Sequence, residues 1–253
     1  MEGGIGARWA AIKGDPAMPM LNRRAIMAGI SATGTAFALG GCATTVPAPP
    51  IQSLAAPLEP PIPTPSADIY GEVTGEPFPI PAVKLTGLDP TYLRTTVRYP
   101  GTEEPGTIVV DPSRRYLYLV QAGGSALRYG VGVGREGFGW SGTATIHDKQ
   151  EWPDWYPPKE MIQRQPELRT ALSELQSGLG MHGGPRNPLG ARAMYLWQGN
   201  KDTLYRIHGT VEPWTIGKSV SSGCIRMINQ DVIDLYRRAP VGTRVVVTPS
   251  HIA

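Results

Sequence analysis

Two short segments decide how this 253-residue chain is interpreted: Ile207-His208-Gly209 and, further along, Ser221-Ser222-Gly223-Cys224-Ile225-Arg226-Met227. Cys224 is one of only two cysteines, so it is either an inert buried thiol or a nucleophile. The small, flexible residues before it let backbone approach a substrate closely, and their N–H groups can point at a developing oxyanion. His208 ends an apolar, strand-like run, from which an imidazole can reach a thiol. The pattern favours a Cys-His site, and burial of both side chains in a core is the alternative.

Several parts of the chain resemble the L,D-transpeptidase family, whose catalytic domain is the YkuD-like domain. The Ile-His-Gly and Ser-x-Gly-Cys-Ile-Arg-Met pattern is similar to the active-site signature of that family. Three further segments also look like this family: Gly106–Asp111, Tyr116–Val120 and Asn187–Arg192. The resemblance covers Pro105 to Pro249. Many members carry His where this chain has Ser222, which leaves His208 as the only general-base candidate in the motif.

The residues of the motif have separate expected roles. Cys224 is the expected nucleophile, because an imidazole that takes the thiol proton yields a reactive thiolate, and His208 is the expected general base. The uncharged Gly209 suggests that a backbone carbonyl orients the ring, as the resemblance also implies, with Glu212 as a less favoured orienter. The expected oxyanion donors are backbone amides: those of Ser222, Gly223 and Cys224.

Three polar residues are candidates for substrate contacts: Ser221, Arg226 and His182. Arg226 either binds a substrate carboxylate or braces the turn. His182 lies in the flexible loop 180–185 and is also a minor candidate for the base. Arg192 is expected to be structural.

The resemblance implies two acyl transfers on peptidoglycan stem peptides. The thiolate attacks the carbonyl of the diamino acid at the third position of a tetrapeptide stem, and the terminal D-alanine leaves. An amine of a second stem then gives a 3→3 cross-link, an amine of an envelope protein gives an anchor, and water gives a carboxypeptidase. A hydrolase of the same Cys-His chemistry and a non-catalytic wall-binding lipoprotein remain alternatives. Carbapenem-type β-lactams are expected covalent inhibitors.

Charge and spacing argue against other classes of site. Residues 1–41 hold four of the 24 basic and two of the 21 acidic side chains, so the net charge of +3 falls to +1 without them. No basic stripe suggests nucleic acid. The four histidines have no ligand-like spacing, so neither a metal nor another cofactor is expected: His147, His182, His208 and His251.

The N-terminal region is typical of an exported lipoprotein. Arg23-Arg24 precede the apolar stretch 25–39, which is short for a membrane span and suits a signal peptide. Leu39-Gly40-Gly41-Cys42 then resembles a lipobox, in which Cys42 becomes the lipidated first residue. An ordinary signal peptide is the alternative. We therefore expect a periplasmic or envelope protein held on a membrane by its N-terminal lipid.

The domain organisation follows from composition and from the resemblance. Residues 1–41 are the expected signal peptide. Residues 42–66 form a proline-rich linker, since eight prolines between 46 and 65 exclude a helix or central strand. Residues 67–104 are an extension that packs on the domain. Residues 105–249 are the expected catalytic domain.

The expected fold is mainly β, a mixed sandwich-like or barrel-like sheet structure. Short apolar segments alternate with turns about every ten residues. Asp111-Pro-Ser-Arg-Arg115 lies between two of them and predicts a hairpin. The one clear helix follows Cys224, with Asn229 as its cap. The residues predicted for its buried face are Val232, Ile233, Leu235 and Tyr236.

Overall fold

The computed structural model describes residues 67–134, 140–221 and 223–249. The chain divides into two units, Met1–Ala56 and Pro57–Ala253, and every described residue lies in the second. The expected signal peptide, the linker with Cys42, and Ser222 lie outside the described residues. Within the described part, no helix is long and apolar enough to cross a membrane.

Short strands make up most of the described elements. The strands are β1 Thr95–Arg98, β2 Ile108–Asp111, β3 Tyr116–Gln121, β4 Ser125–Gly130, β5 Val133–Gly134, β6 Gly142–Glu151, β7 Ser173–Leu175, β8 Gly178–Gly180, β9 Arg192–Gln198, β10 Lys201–His208, β11 Ser219–Ser221, β12 Ile225–Arg226 and β13 Arg244–Val247. The α-helices are α1 Lys159–Arg164 and α2 Asn229–Arg238, and 3-10 turns span Ala67–Tyr70, Pro90–Tyr92, Pro166–Ala171 and Pro213–Thr215.

One large mixed sheet organises the described residues. Its strand order is β1-β4-β3-β2-β13-β6-β9-β10-β12, and two small sheets pair β11 with β5 and β7 with β8. Within the large sheet, β13 runs parallel to β2 and β10 runs parallel to β12, while the other pairs are antiparallel. A bridge between Gly132 and Arg226 links β12 to the segment that follows β4. The prediction of a mainly β, mixed-sheet fold is confirmed.

Apolar side chains on one face of the sheet form the main core against α2. In β3, Leu117 and Leu119 are buried while the alternating tyrosines are half-buried, the two-residue period of a strand with one face in a core. Val232 and Leu235 of α2 belong to the same cluster as strand residues from β10 and β12. This packing fixes the C-terminal end of β10 beside the start of α2.

One prediction about the helices is wrong, and one short helix was not predicted. The helix after Cys224 is present as α2, but Asn229 does not cap it, because Ile228 stands at the N-cap and makes no side-chain cap hydrogen bond. The Asn229 Oδ1 instead accepts from the Ala191 N–H at 3.0 Å, so its side chain serves a neighbouring loop. Helix α1 was not predicted, since it has six residues and none of them is buried, which leaves no apolar period to detect.

The segment 67–104 is bound to the domain through both backbone and side chains. Its strand β1 pairs with β4 at the edge of the large sheet. Its Tyr70 is buried, and the hydroxyl donates to Asp231 of α2 at 3.1 Å. The 3-10 turn Pro90–Tyr92 begins after Asp89, whose carboxylate accepts from the Thr91 N–H at 2.9 Å.

Candidate active site

Two parallel strands bring the histidine and cysteine segments together. In the pairing of β10 with β12, Ile207 lies opposite Ile225 and His208 lies opposite Arg226. Cys224 immediately precedes β12. Continuing the same register by one residue places Cys224 beside Arg206. A backbone hydrogen bond from Arg206 reaches the Cys224 thiol. The sheet therefore places two residues that are 16 positions apart in sequence on neighbouring strand ends.

The His208 ring is buried and held in one orientation. The residue is 4% exposed, and its Nδ1 lies 2.5 Å from the carbonyl oxygen of Gly209. A carbonyl oxygen can only accept, so this contact assigns the ring proton to Nδ1. The His208 carbonyl in turn accepts from the Met227 N–H at 2.8 Å. In the neutral ring, Nε2 is then the nitrogen with an available lone pair.

Burial keeps both members of the pair uncharged near neutral pH. Burial lowers the pKa of His208 to about 4; hydrogen bonds with the backbone of Gly209 and Leu189 oppose this shift, and the Arg226 cation reinforces it. Burial likewise raises the pKa of the Cys224 thiol, against the lowering effect of the Arg206 backbone and of two nearby arginine cations. Arg226 thus lies close enough to influence both groups. The thiol of Cys224 and the imidazole of His208 are therefore both neutral at rest.

Contacts with Ala191, Arg192 and Asn229 hold Gly209 in position. Its N–H donates to the Arg192 carbonyl at 3.0 Å. A Cβ at this position would lie 3.1 Å from the Ala191 nitrogen and would also collide with Asn229. Only glycine therefore lets the carbonyl that binds His208 pack so closely against the loop.

An aromatic pair borders the cysteine turn. Gly223 has φ +126°, a left-handed value that favours glycine, and a Cβ there would lie 3.3 Å from the Tyr205 ring. The Tyr205 ring stacks on Trp140 with centroids 5.3 Å apart. Neither aromatic residue was predicted as part of the site. Tyr205 lies three residues before His208 in the same strand-like run, but nothing in the sequence linked Trp140 to a motif more than 80 residues away.

Arg226 and Glu212 form an ion pair next to the site. The Arg226 Nη1 donates to Glu212 Oε2 at 3.0 Å, and the backbone of Arg226 exchanges hydrogen bonds with Gly132. Arg226 therefore braces the turn in this structure, and its binding of a substrate carboxylate stays a prediction. Glu212 contacts Arg226, while the carbonyl of Gly209 contacts the His208 ring. Ser221 ends β11, where it pairs with Gly134 of β5.

His182 lies in an exposed position. Its side chain is 75% exposed, and its Nδ1 is 3.3 Å from Asp154 Oδ1. The same carboxylate oxygen accepts from the Gly183 N–H at 3.0 Å. His182 therefore lacks the burial and the backbone carbonyl contact that fix the His208 ring.

No group of three or more His, Cys, Asp or Glu residues within 67–134, 140–221 and 223–249 is arranged to hold a metal ion. What these residues offer instead is acid–base and nucleophilic chemistry: a thiol, an imidazole with a defined tautomer, and a glycine turn with backbone N–H groups. Such a set is suited to acyl transfer through a thioester.

Comparison with known proteins agrees with the geometry. Residues 105–247 match the model of the L,D-transpeptidase catalytic domain, YkuD. The chain belongs to this L,D-transpeptidase family. It is 32% identical over 150 residues to the probable L,D-transpeptidase YbiS of Escherichia coli K12, covering 58% of this chain and 45% of that protein.

A second relative is similar over a longer stretch. The probable L,D-transpeptidase ErfK/SrfK of E. coli K12 is 30% identical over 187 residues, covering 72% of this chain and 52% of that protein. Because only six residues follow the family match, this longer similarity reaches into the segment before residue 105. The chain spans about half the length of these two relatives.

A solved structure of higher identity carries a different description. The crystal structure of a probable carnitine operon oxidoreductase from Brucella melitensis is 54% identical and covers 65% of this chain and 99% of its own. Its TM-score of 0.43 gives no ground for a structural conclusion. The family assignment of the present chain rests on residues 105–247.

Proposed function

We propose that this protein is a peptidoglycan L,D-transpeptidase in which Cys224 is the nucleophile and His208 the general base. The observation that carries the proposal is the 2.5 Å contact between His208 Nδ1 and the Gly209 carbonyl, on a strand that runs parallel to the one after Cys224. With the proton on Nδ1, Nε2 carries the lone pair that accepts a proton. Family membership of residues 105–247 supports the choice of reaction.

The first half-reaction forms a thioester. His208 Nε2 takes the thiol proton, and the thiolate of Cys224 attacks the carbonyl carbon of the diamino acid at the third position of a tetrapeptide stem. Backbone amides at Gly223, Cys224 and Ser222 stabilise the oxyanion. The C–N bond to D-alanine then breaks, and the imidazolium returns its proton to the leaving amine.

The second half-reaction transfers the acyl group. An acceptor amine loses a proton to His208 as it attacks the thioester, a new amide forms, and the thiol regains its proton. An amine from a second stem yields a 3→3 cross-link, and an amine from an envelope protein yields a covalent anchor. A carbapenem reacts by the first half alone, opening its lactam onto the same sulfur.

The protein acts on the outer side of the cytoplasmic membrane in this proposal. Peptidoglycan is assembled there, and the segment ending at Cys42 resembles a lipobox. Acylation at Cys42 anchors the chain, and the proline-rich residues that follow act as a spacer, because polyproline segments rise about 3.1 Å per residue.

Muropeptide analysis tests the reaction directly. Cells that lack the protein are compared with cells that express the wild type or the Cys224→Ser variant at equal levels. New 3→3 dimers with the wild type alone support cross-linking, and stem peptides attached to an envelope protein support anchoring. Loss of existing dimers with the wild type would replace the proposal with a hydrolase of the same chemistry. Identical muropeptides in all three strains would overturn it.

A further inference from the structure

A buried ion pair joins the N-terminal segment to the loop behind the candidate base. Glu76 and Arg192 form two parallel contacts, from Nη2 to Oε1 at 2.6 Å and from Nη1 to Oε2 at 2.9 Å. The two side chains are only 9% and 6% exposed. The indole N–H of Trp152 also donates to Glu76 at 3.0 Å. Glu76 therefore matches the planar fork of the guanidinium and fixes it in place.

Backbone hydrogen bonds connect Arg192 to the His208 ring. Its Nη1 also donates to the Ala191 carbonyl at 2.7 Å, so the side chain folds back over its own loop. Its carbonyl accepts from the Gly209 N–H at 3.0 Å. The next carbonyl, that of Gly209, is the one that binds His208 Nδ1. The contacts form a continuous chain from Glu76 to the imidazole.

We infer that Glu76 is a positioning residue, which acts through Arg192 and Gly209 to hold the His208 ring in the Nδ1–H tautomer that the proposed reaction requires. The inference rests on the proposed function of His208 as the base. The segment 67–104 lies before the family match at 105–247. In this inference it contributes, through Glu76, to the orientation of the His208 ring.

The chemistry of the pair explains why a carboxylate stands at position 76. Arg192 is almost fully buried, and a buried cation without a partner is strongly unfavourable. The other nearby carboxylate, Glu151, is 3.7 Å away and 57% exposed, so it cannot replace the two-point contact. The Arg192 hydrogen bond accordingly lowers the pKa of Glu76 below its usual value, against the effect of burial, and the carboxylate is charged at neutral pH.

Nitrogen NMR of histidine-labelled protein tests the inference, because ring ¹⁵N shifts report which nitrogen carries the proton. The variants are Glu76→Gln and Arg192→Lys, which keep similar volume but lose the two-point contact. The matched control is Glu103→Gln, since Glu103 also lies in the segment and accepts from Tyr99 at 2.7 Å without contacting Arg192. Comparison with His208→Asn assigns the His208 signal among the four histidines.

We expect wild type and Glu103→Gln to show a single Nδ1–H tautomer for His208. The two test variants are expected to show a mixture, with D-alanine release slowed about 10- to 100-fold, the range seen when the hydrogen-bond partners of metal-ligating histidines are replaced. Their KM should change less than twofold, because the Glu76 side chain is only 9% exposed and is bound by Arg192.

Two results would overturn the inference while leaving the proposed function intact: an unchanged His208 signal in both folded test variants, or a loss of rate equal to that of Glu103→Gln. If Glu76→Gln does not fold, Arg192→Lys decides alone, since it retains the buried charge. Failure of the proposed function is seen separately, as absence of Cys224-dependent D-alanine release by the wild type.

Discussion

The Nδ1 of His208 lies 2.5 Å from the carbonyl oxygen of Gly209, the residue that follows it in the chain. A backbone carbonyl thus contacts the Nδ1 position that a carboxylate contacts in Ser-His-Asp sites. Because the carbonyl carries no full charge, it orients the ring without raising its basicity as much as an ion pair would. This agrees with the lowered pKa of His208, about 4.

Replacement of His208 is expected to abolish thioester formation, whereas replacement of His182 is expected to leave measurable turnover. Only His208 is buried and held by a carbonyl, while the His182 side chain is 75% exposed beside Asp154. His208→Ala and His182→Ala are compared by D-alanine release from a tetrapeptide stem. If His208→Ala released D-alanine faster than His182→Ala, the base would have been assigned to the wrong residue.

The thiol is expected to be protonated in the resting enzyme. Burial raises the pKa of Cys224 and lowers that of His208, so a thiolate–imidazolium pair is unfavourable before substrate binds. In the Cys42→Ala variant, where Cys224 is the remaining cysteine, alkylation by iodoacetamide should keep rising above pH 8.5, the usual thiol pKa. A rate that levels off between pH 5 and 7 would instead reveal a preformed ion pair.

The acid limb of the activity profile should reflect His208. Its pKa lies near 4, so the ring of the free enzyme stays neutral, and able to accept a proton, until the pH falls to about that value. A plot of kcat/KM against pH should therefore show no loss between pH 7 and 5.5. An acid limb centred at pH 6.5, the value for an unperturbed imidazole, would contradict the buried position of the ring.

Two aspartates of α2 should affect stability with opposite pH dependence. Asp231 is fully buried, and burial raises its pKa to about 7 despite the Arg94 cation 3.6 Å away. Because the unfolded chain releases this proton near pH 4, the folded state loses stability as the pH rises toward 7. The free energy of unfolding decreases by roughly 4 kcal/mol in all, because the folded-state pKa of Asp231 lies about three units above the unfolded value.

Asp231→Asn removes that titration, so the melting temperature of the variant relative to wild type should be higher at pH 8 than at pH 5. Asp234 is the matched control. Burial raises its pKa, but hydrogen bonds from Arg238 and Tyr129 outweigh that effect and leave it lowered. Its charge therefore stabilises above the unfolded pKa, and Asp234→Asn should be destabilised most at pH 7 and above. If the melting temperatures of the two variants changed with pH in the same way relative to wild type, the opposite pKa shifts of Asp231 and Asp234 would be refuted.

The expected lipid anchor has its own test. Cys42→Ala should move the protein from the membrane pellet to the soluble periplasmic fraction without changing its activity in solution. The physical reason is that each buried methylene of an acyl chain contributes about 0.8 kcal/mol of membrane affinity. A wild-type protein that is already soluble, with a mature N-terminus away from Cys42, would indicate an ordinary signal peptide.

Local patterns predicted much of the sheet. The hairpin around Asp111–Arg115 followed from turn residues between two apolar runs, and it is present as β2 paired with β3. The cap at Asn229 was wrong because a local rule assigned a side chain that a distant loop binds instead. Local sequence cannot show such competition, since Ala191 is 38 residues away.

The same limit applies to the candidate site. His208, Gly209 and Cys224 lie in short motifs, so residue chemistry and the family resemblance were enough to propose them. Glu76 and Trp140 reach the site only through long-range packing, against Arg192 and Tyr205 respectively. Neither had a neighbouring residue that signalled this role, and only the arrangement of the sheet brings them close.

The measurement that tests the central claim most directly is intact-mass spectrometry of the protein mixed with a tetrapeptide stem, with D-alanine release followed in parallel. The wild type should gain the mass of the stem without its terminal D-alanine and release D-alanine, and digestion should place the added mass on the peptide that contains Cys224. Cys224→Ser should show no adduct and a rate lower by several orders of magnitude, as loss of a nucleophile causes in other enzymes. Release of D-alanine by Cys224→Ser at close to the wild-type rate would contradict the account.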